Sequence, residues 1–299
     1  MMNKRLILLL LIFLLGGCNE RDKETQDNLK DSEECTNNWA ICMVNPEMNF
    51  NLLNSTPVKV AILDSGINYE LDELKDYVVK RFNTTDNSST TIPVNEHGTM
   101  IASIVAATNK GNTKIGLNES VQLYDVQVLN NDAKGQVENT VTGINWAIEQ
   151  DVDIINISYG FSNDIPSFKK AIKTASDKGI IIVAATGNTI GLSTDFPAKY
   201  PDVLSISAID NEMDIFSYAG KGKVDYVAPG VNVPVLNMQG EIEYQSGTSF
   251  AAAYATGVIS LFKSQTINED VIQYLQENSI ELGSKNTYGQ GLIQFREEY

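Results

Sequence analysis

Val58-Lys59-Val60-Ala61-Ile62-Leu63-Asp64-Ser65-Gly66 is the stretch on which the fold turns. Val58 to Leu63 is apolar at nearly every position, without the polar alternation of a sheet that faces water, so it is expected to be a strand covered on both faces. An acid and a glycine end it, which puts Asp64 at the carboxyl end of the strand. Downstream the same kind of run returns at Gln122–Leu129, Val152–Ile157, Ile180–Ala185 and Val203–Ala208. Helical periodicity fills the gaps. Met100, Ile101, Ile104 and Val105 share one face of a helix over His97–Ala107, and Val137, Val141, Ile144 and Ile148 share another. Phe168, Ile172 and Ala175 mark a third, closed by Gly179. Ser249–Phe262 is an apolar helix, and Asn268 is expected to cap a last one carrying Val271, Tyr274 and Leu275. Alternating apolar strands and helices imply an α/β fold with a mostly parallel central sheet and helices on both faces. Active-site groups in such sheets gather at the carboxyl ends of the strands.

The 299 residues, 42% hydrophobic and 20% charged, suit one large domain or two small ones. The formal charge of −16 argues against a nucleic-acid partner, which needs a basic face. The first residues read as an export signal. Lys4 and Arg5 precede an unbroken apolar run of ten residues, Leu6–Leu15, too short to span a bilayer. Leu15-Gly16-Gly17-Cys18 follows and resembles a bacterial lipobox, in which Cys18 is lipidated and becomes the mature N-terminus. Residues 1–17 are then a signal peptide, residues 18–38 a polar tether or short pro-segment, and residues 39–299 the folded domain. About twenty residues between Cys18 and Trp39 are too few for a packed core, so folding without a long prodomain is expected. Cys35 and Cys42 form either a disulfide or two free thiols.

Three short pieces carry the chemistry. His97, in Asn95-Glu96-His97-Gly98-Thr99, is the only histidine, so any imidazole base is this residue and a multi-histidine metal site is impossible. Asp64 ends its strand where an acid can orient an imidazole. Ser246-Gly247-Thr248-Ser249-Phe250-Ala251-Ala252 sets a serine at the start of an apolar helix, where backbone N–H groups favour negative charge. Each piece alone has a plainer explanation: a structural histidine, a strand-ending acid, a helix cap. Together, in the order Asp, His, Ser, they resemble the three signatures of the subtilase family. Trp39–Glu47, Ala228-Pro229-Gly230 and Tyr288-Gly289-Gln290-Gly291-Leu292 extend the resemblance from about Trp39 to the C-terminus.

The resemblance implies the subtilisin-like three-layer fold and a serine endopeptidase that acts on peptides or proteins, as a monomer. Ser249 would be the nucleophile, His97 the general base and Asp64 the residue that orients it. Ala184-Ala185-Thr186-Gly187-Asn188 resembles the oxyanion loop, with Asn188 as donor. Ser158-Tyr159-Gly160 and Ala133-Lys134-Gly135 resemble the walls of a cleft that binds substrate as an added strand. Phe196-Pro197-Ala198-Lys199-Tyr200-Pro201 resembles an element that puts the preceding residue, Asp195, at the floor of the S1 pocket, selecting Arg or Lys at P1. The other outcome there is Asp195 turned to solvent, with Thr194 or Phe196 on the floor. No cofactor is implied. In the family's calcium loop, Thr108-Asn109-Lys110-Gly111-Asn112, Lys110 replaces an expected asparagine and opposes a cation, although Glu73 replaces an aspartate. Ala253, Tyr254 and Met100 also depart from the family pattern, outside the triad.

A lipid-anchored peptidase with no further binding modules also resembles the leader peptidases of lantibiotic gene clusters, which trim exported precursors at the outer face of the cytoplasmic membrane. A broad degradative subtilase and a non-catalytic peptide-binding lipoprotein are the alternatives. An esterase of the Gly-x-Ser-x-Gly type is excluded by the triad order and the absent motif.

Overall fold

The computed structural model describes residues 35, 37–48, 50, 55–130, 134–265 and 270–296. Val58–Asp64 forms β1, and Val78–Asn83 (β2) and Val121–Gln127 (β3) lie to one side of it. Ile154–Ile157 (β4), Ile181–Ala185 (β5), Leu204–Ile209 (β6) and Tyr226–Pro229 (β7) follow on the other side. The seven strands run parallel in the order β2-β3-β1-β4-β5-β6-β7. The chain therefore winds outward in two directions from β1. That switch point opens a crevice at the carboxyl ends of β1 and β4.

Period-2 geometry divides each strand between two cores. Val58, Val60 and Ile62 of β1 join one cluster, and Ala61 and Leu63 join the other. The first face is covered by α1 (Trp39–Val44), α2 (His97–Ala106) and α5 (Thr248–Gln265). The second is covered by α3 (Val137–Glu149) and α4 (Pro166–Asp177). Helix α5 is buried nearly all round, as its unbroken apolar sequence requires. An antiparallel pair, β8 (Val233–Leu236) and β9 (Ile242–Gln245), stands apart from the main sheet.

The expected strands and helices are present, with ends shifted by one or two residues in most cases. The last expected helix, α6 (Val271–Asn278), is capped by Asp270, whose carboxylate accepts from the Ile272 and Gln273 N–H groups. Asn268, expected in that role, lies outside the described residues. A short α7 (Lys285–Tyr288) follows it. Edge strand β2 escapes the sequence pattern because it is only half-buried and carries Lys80 and Arg81.

Cys35 and Cys42 are joined in a disulfide. Asn38, also upstream of Trp39, is buried. Its side chain caps α1 at the Ile41 N–H and donates to the Lys114 carbonyl at 2.8 Å. Cys18 lies outside the described residues, among which no helix is long and apolar enough to cross a membrane.

Candidate active site

Asp64 is buried at the end of β1, where the chain must leave the sheet. Ser65 makes the turn: its hydroxyl donates to the Asn95 carbonyl at 3.1 Å and accepts from the Gly98 N–H at 3.0 Å. One side chain thus ties the end of β1 to the start of α2. The approach is so close that a Cβ at Gly98 would stand 2.5 Å from the Gly66 carbonyl oxygen. Glycine at 98 is therefore required by contact, and the adjoining His97 is delivered onto Asp64. Both Asp64 oxygens are 2.9 Å from His97 Nδ1, and Oδ1 also accepts from the Ser65 N–H at 2.7 Å. A carboxylate on Nδ1 keeps the proton there and leaves Nε2 as the acceptor. Burial by itself would lower the imidazole pKa, but the charge and hydrogen bond of Asp64 outweigh it and hold His97 above the usual histidine range.

A cavity of about 240 Å³ opens over the ends of β4 and β5. His97, Ser158, Asn188, Asp195 and Ser249 all line it. Ser249 stands in the first turn of α5, and its Oγ donates to the Ser158 carbonyl oxygen at 2.6 Å. Ser158 in turn donates to Asn156 and to the Ser249 carbonyl. Asn188 follows β5, and its Oδ1 accepts from both the N–H and the hydroxyl of Thr248 at 3.1 Å. Since a backbone N–H can only donate, the amide orientation is settled, and Nδ2 is the end left to donate over Gly247.

Asp195 borders the same cavity. Its N–H donates to the Thr186 carbonyl at 3.0 Å, and the next residue, Phe196, pairs with Phe161. The other two candidates for this place are engaged elsewhere. Thr194 donates to the carbonyls of Lys221 and Lys223, and the Phe196 ring packs 4.8 Å from that of Tyr200. Gly160 and Gly187 frame the acid closely: a Cβ at 160 would meet Asp195 Cβ at 2.6 Å, and one at 187 would meet Oδ2 at 2.5 Å. Among the described residues the Asp195 carboxylate makes no salt bridge within 4.0 Å. Partial burial raises its pKa, with Lys199 opposing.

Tyr159 and Gly160 line the cavity beside Ser158. On the opposite wall the lining residue is Leu129. Gly135 bridges to Leu129 and would meet it with a Cβ at 2.9 Å, Lys134 is exposed, and Ala133 lies outside the described residues. A larger groove of about 520 Å³ at the β2 edge, between Lys80, Phe82 and Trp146, holds none of these groups.

The residues of the calcium-loop region do not fit a cation. Lys110 Nζ lies 2.6 Å from Glu73 Oε1 and supplies the positive charge itself. No cluster of three His, Cys, Asp or Glu suited to a metal occurs among the described residues.

Thr248 as the partner of Asn188, and Leu129, went unread in the sequence. So did Asp125 of β3, a fully buried acid with a pKa pushed up to about 7 by burial, which the Thr91 and Ile67 hydrogen bonds only partly offset. An acid inside Leu123-Tyr124-Asp125-Val126 is the signal that was available.

Comparison with known proteins agrees with this geometry. The model of the subtilase family, of peptidase S8 type, matches residues 55–291. Subtilisin BL of Lederbergia lenta is 32% identical over 85% of this chain and 96% of its own length. A thermostable alkaline protease of Halalkalibacterium halodurans is 31% identical over 85% of this chain and 71% of its own. The crystal structure of a cold adapted subtilisin-like serine proteinase superposes with a TM-score of 0.75 at 20% identity, covering 87% of this chain and 98% of that one, and shares the fold. A parallel sheet that brings a carboxylate, an imidazole and a serine to one crevice, in a sequence matched along most of its length, has one outcome: the chain belongs to the subtilase family and is a serine endopeptidase.

Proposed function

We propose that Asp64, His97 and Ser249 hydrolyse peptide bonds together, with Asn188 and the Ser249 N–H holding the oxyanion, and that the chain trims an exported precursor after Arg or Lys. The observation that carries this is the Asp64–His97 pair at 2.9 Å, with His97 on the same cavity as Ser249 and as Asp195, which makes no salt bridge among the described residues. Turned from the Ser158 carbonyl by rotation about its Cα–Cβ bond, Ser249 Oγ gives its proton to His97 Nε2 as it bonds to the scissile carbonyl carbon. The carbonyl oxygen becomes an oxyanion held by Asn188 Nδ2. His97 then protonates the leaving amine, and a water repeats the sequence to free the acid and restore Ser249. A cleavage profile on a peptide library tests the substrate reading: a sharp preference for Arg or Lys supports trimming. The family relatives named as subtilisins and alkaline proteases favour a second reading, a degradative enzyme, and a flat profile would select it.

Activity should depend on pH through His97. The base must be neutral, and its folded-state pKa is raised. kcat/KM on an Arg anilide is therefore expected to rise with pH along a one-proton curve whose midpoint lies above 6.5, the ordinary histidine value. A midpoint below that value contradicts the Asp64–His97 coupling.

The site works outside the cytoplasmic membrane, held there by lipid on Cys18. The basic, apolar, Leu-Gly-Gly-Cys order of the first 18 residues supports this, as does the Cys35–Cys42 disulfide, which persists in oxidising compartments. Cys18→Ala is expected to move the protein from the membrane fraction to the medium, or to leave it unprocessed. Fractionation with intact mass measurement checks it, and unchanged partitioning with unchanged mass refutes the lipid anchor.

A further inference from the structure

Asp125 is a fully buried acid inside β3 that the mechanism above does not use. In the parallel register it stands between Ile62 of β1 and Arg81 of β2, so the three side chains share one face of the sheet, the face under α2. The charged groups that face it are Arg81 and Asp64, two residues beyond Ile62, with His97 of α2 on the far side of Asp64. Arg81 does not neutralise it. The guanidinium lies over the Tyr69 ring at 3.8 Å, and no salt bridge joins it to Asp125 among the described residues. A buried carboxylate without a counter-charge costs the fold stability. With the pKa pushed up to about 7, that cost is absent below the ordinary carboxylate range, grows as pH rises and is complete above about 7. An apolar residue would avoid it, so stability gives no account of Asp125.

Its contacts do. Thr91 Oγ1 donates to Asp125 Oδ2 at 2.5 Å, and the Ile67 N–H also hydrogen-bonds to the carboxyl. Ile67 lies three residues past Asp64, and Thr91 six before His97. Gln127, next along the same face of β3, holds Ile92 with both ends of its amide, accepting at 3.0 Å and donating at 2.7 Å. A Cβ at Gly66 would stand 3.1 Å from Pro93 Cα, and the Val94 N–H donates to the Ser65 carbonyl at 3.0 Å. Residues 91–97 are thus laid along the turn that follows Asp64, and the Asp125 carboxyl is hydrogen-bonded to both segments.

We propose that Asp125 is a positioning residue for the Asp64–His97 pair: it clamps the segment arriving at His97 to the segment leaving Asp64, and its charge sets how readily His97 takes a proton. This rests on the peptidase reading of Asp64, His97 and Ser249. A carboxylate under Asp64 repels the charge of Asp64 and favours the imidazolium that relieves it. When His97 takes the proton of Ser249, the Asp64–His97 pair loses its net charge and the repulsion on Asp125 falls. Asp125 touches neither substrate nor the reacting atoms, since the cavity lining includes neither it nor Thr91.

The test uses the full chain, labelled with ¹⁵N at its single histidine, so that the ring signals give the His97 midpoint directly. In Asp125→Asn, which keeps the shape and removes the charge, that midpoint is expected at lower pH than in the wild type. Thr91→Val should move it the same way, because loss of the hydroxyl donor leaves Asp125 more readily protonated. On an Arg anilide, with active sites counted by titration with phenylmethylsulfonyl fluoride, kcat per site is expected to fall about tenfold or more in both variants while KM stays within about twofold. Thr91→Ser, which restores the hydroxyl, should recover kcat. If Asp125→Asn does not fold, Thr91→Val and Thr91→Ser carry the same measurements. A residue that only supports the fold would change the number of active sites and the thermal midpoint, leaving kcat per site and the His97 midpoint unmoved. That result overturns the positioning role alone, provided the wild type hydrolyses the anilide. No hydrolysis by the wild type overturns the peptidase reading and the positioning role together.

Discussion

Ser249→Ala is expected to lower kcat toward a peptide substrate by about 10⁶, the scale reported for removal of the serine or histidine of a subtilisin. Three features of the site make the loss that large. Ser249 and Thr248 are the two hydroxyl residues in the first turn of α5 that line the cavity with His97. Thr248 is committed to Asn188 through both its N–H and its hydroxyl and is not free to replace Ser249. Ser158, the other serine on the cavity, already donates to Asn156 and the Ser249 carbonyl. The fold should not suffer, because among the described residues the hydrogen bond of Oγ is to the Ser158 carbonyl, and α5 is held by its buried apolar faces. Measured thermal unfolding is therefore expected to stay close to that of the wild type. Peptide hydrolysis within about tenfold of wild type, by protein shown to be free of other proteases, would falsify the nucleophile assignment.

The second large effect concerns Asp195. Its carboxylate faces the cavity in partial burial, without a salt bridge among the described residues, and that burial raises its pKa. An apolar P1 side chain leaves the charge buried and unpaired, whereas a guanidinium satisfies it with two charge-assisted hydrogen bonds. Wild-type kcat/KM should accordingly favour Arg over Leu at P1, in matched peptides that also include Gln and Glu. Asp195→Gly should reduce the Arg-to-Leu ratio by roughly 10–100-fold, the range for losing a charged hydrogen-bond partner in a desolvated slot. Asp195→Asn separates charge from shape, because the amide fills the same space between Gly160 and Gly187. The preference should also fade on acidification at a higher pH than an ordinary carboxylate would require, since kcat/KM reports the free enzyme. A wild-type preference for Leu or Glu, or an Arg preference that persists in Asp195→Gly, defeats the assignment.

Much of this was legible in the residues alone. Local patterns name buried strands and helices because burial imposes its own period: β1 is apolar along both faces, and α5 is apolar all round, with no tertiary information needed. The order Asp64, His97, Ser249 and the motifs around each identify the family, and one histidine in the whole chain leaves a single base. Those conclusions follow from which residues are present and how they are spaced. Tertiary structure decided what depends on a through-space partner. The choice between a disulfide and two thiols at Cys35 and Cys42 required their separation in space. That Asp195 rather than Thr194 or Phe196 borders the cavity followed from where those two neighbours find partners, in the Lys221 and Lys223 carbonyls and the Tyr200 ring. Asp125 required the knowledge that β3 packs on β1, which puts an acid near Asp64 and away from water. Side-chain rotation in Ser249, hydrogen-bonded to Ser158, is likewise set by a residue 91 positions away. Sequence encodes burial and motif locally, but charge partners and pocket walls come from segments that only the folded sheet brings together.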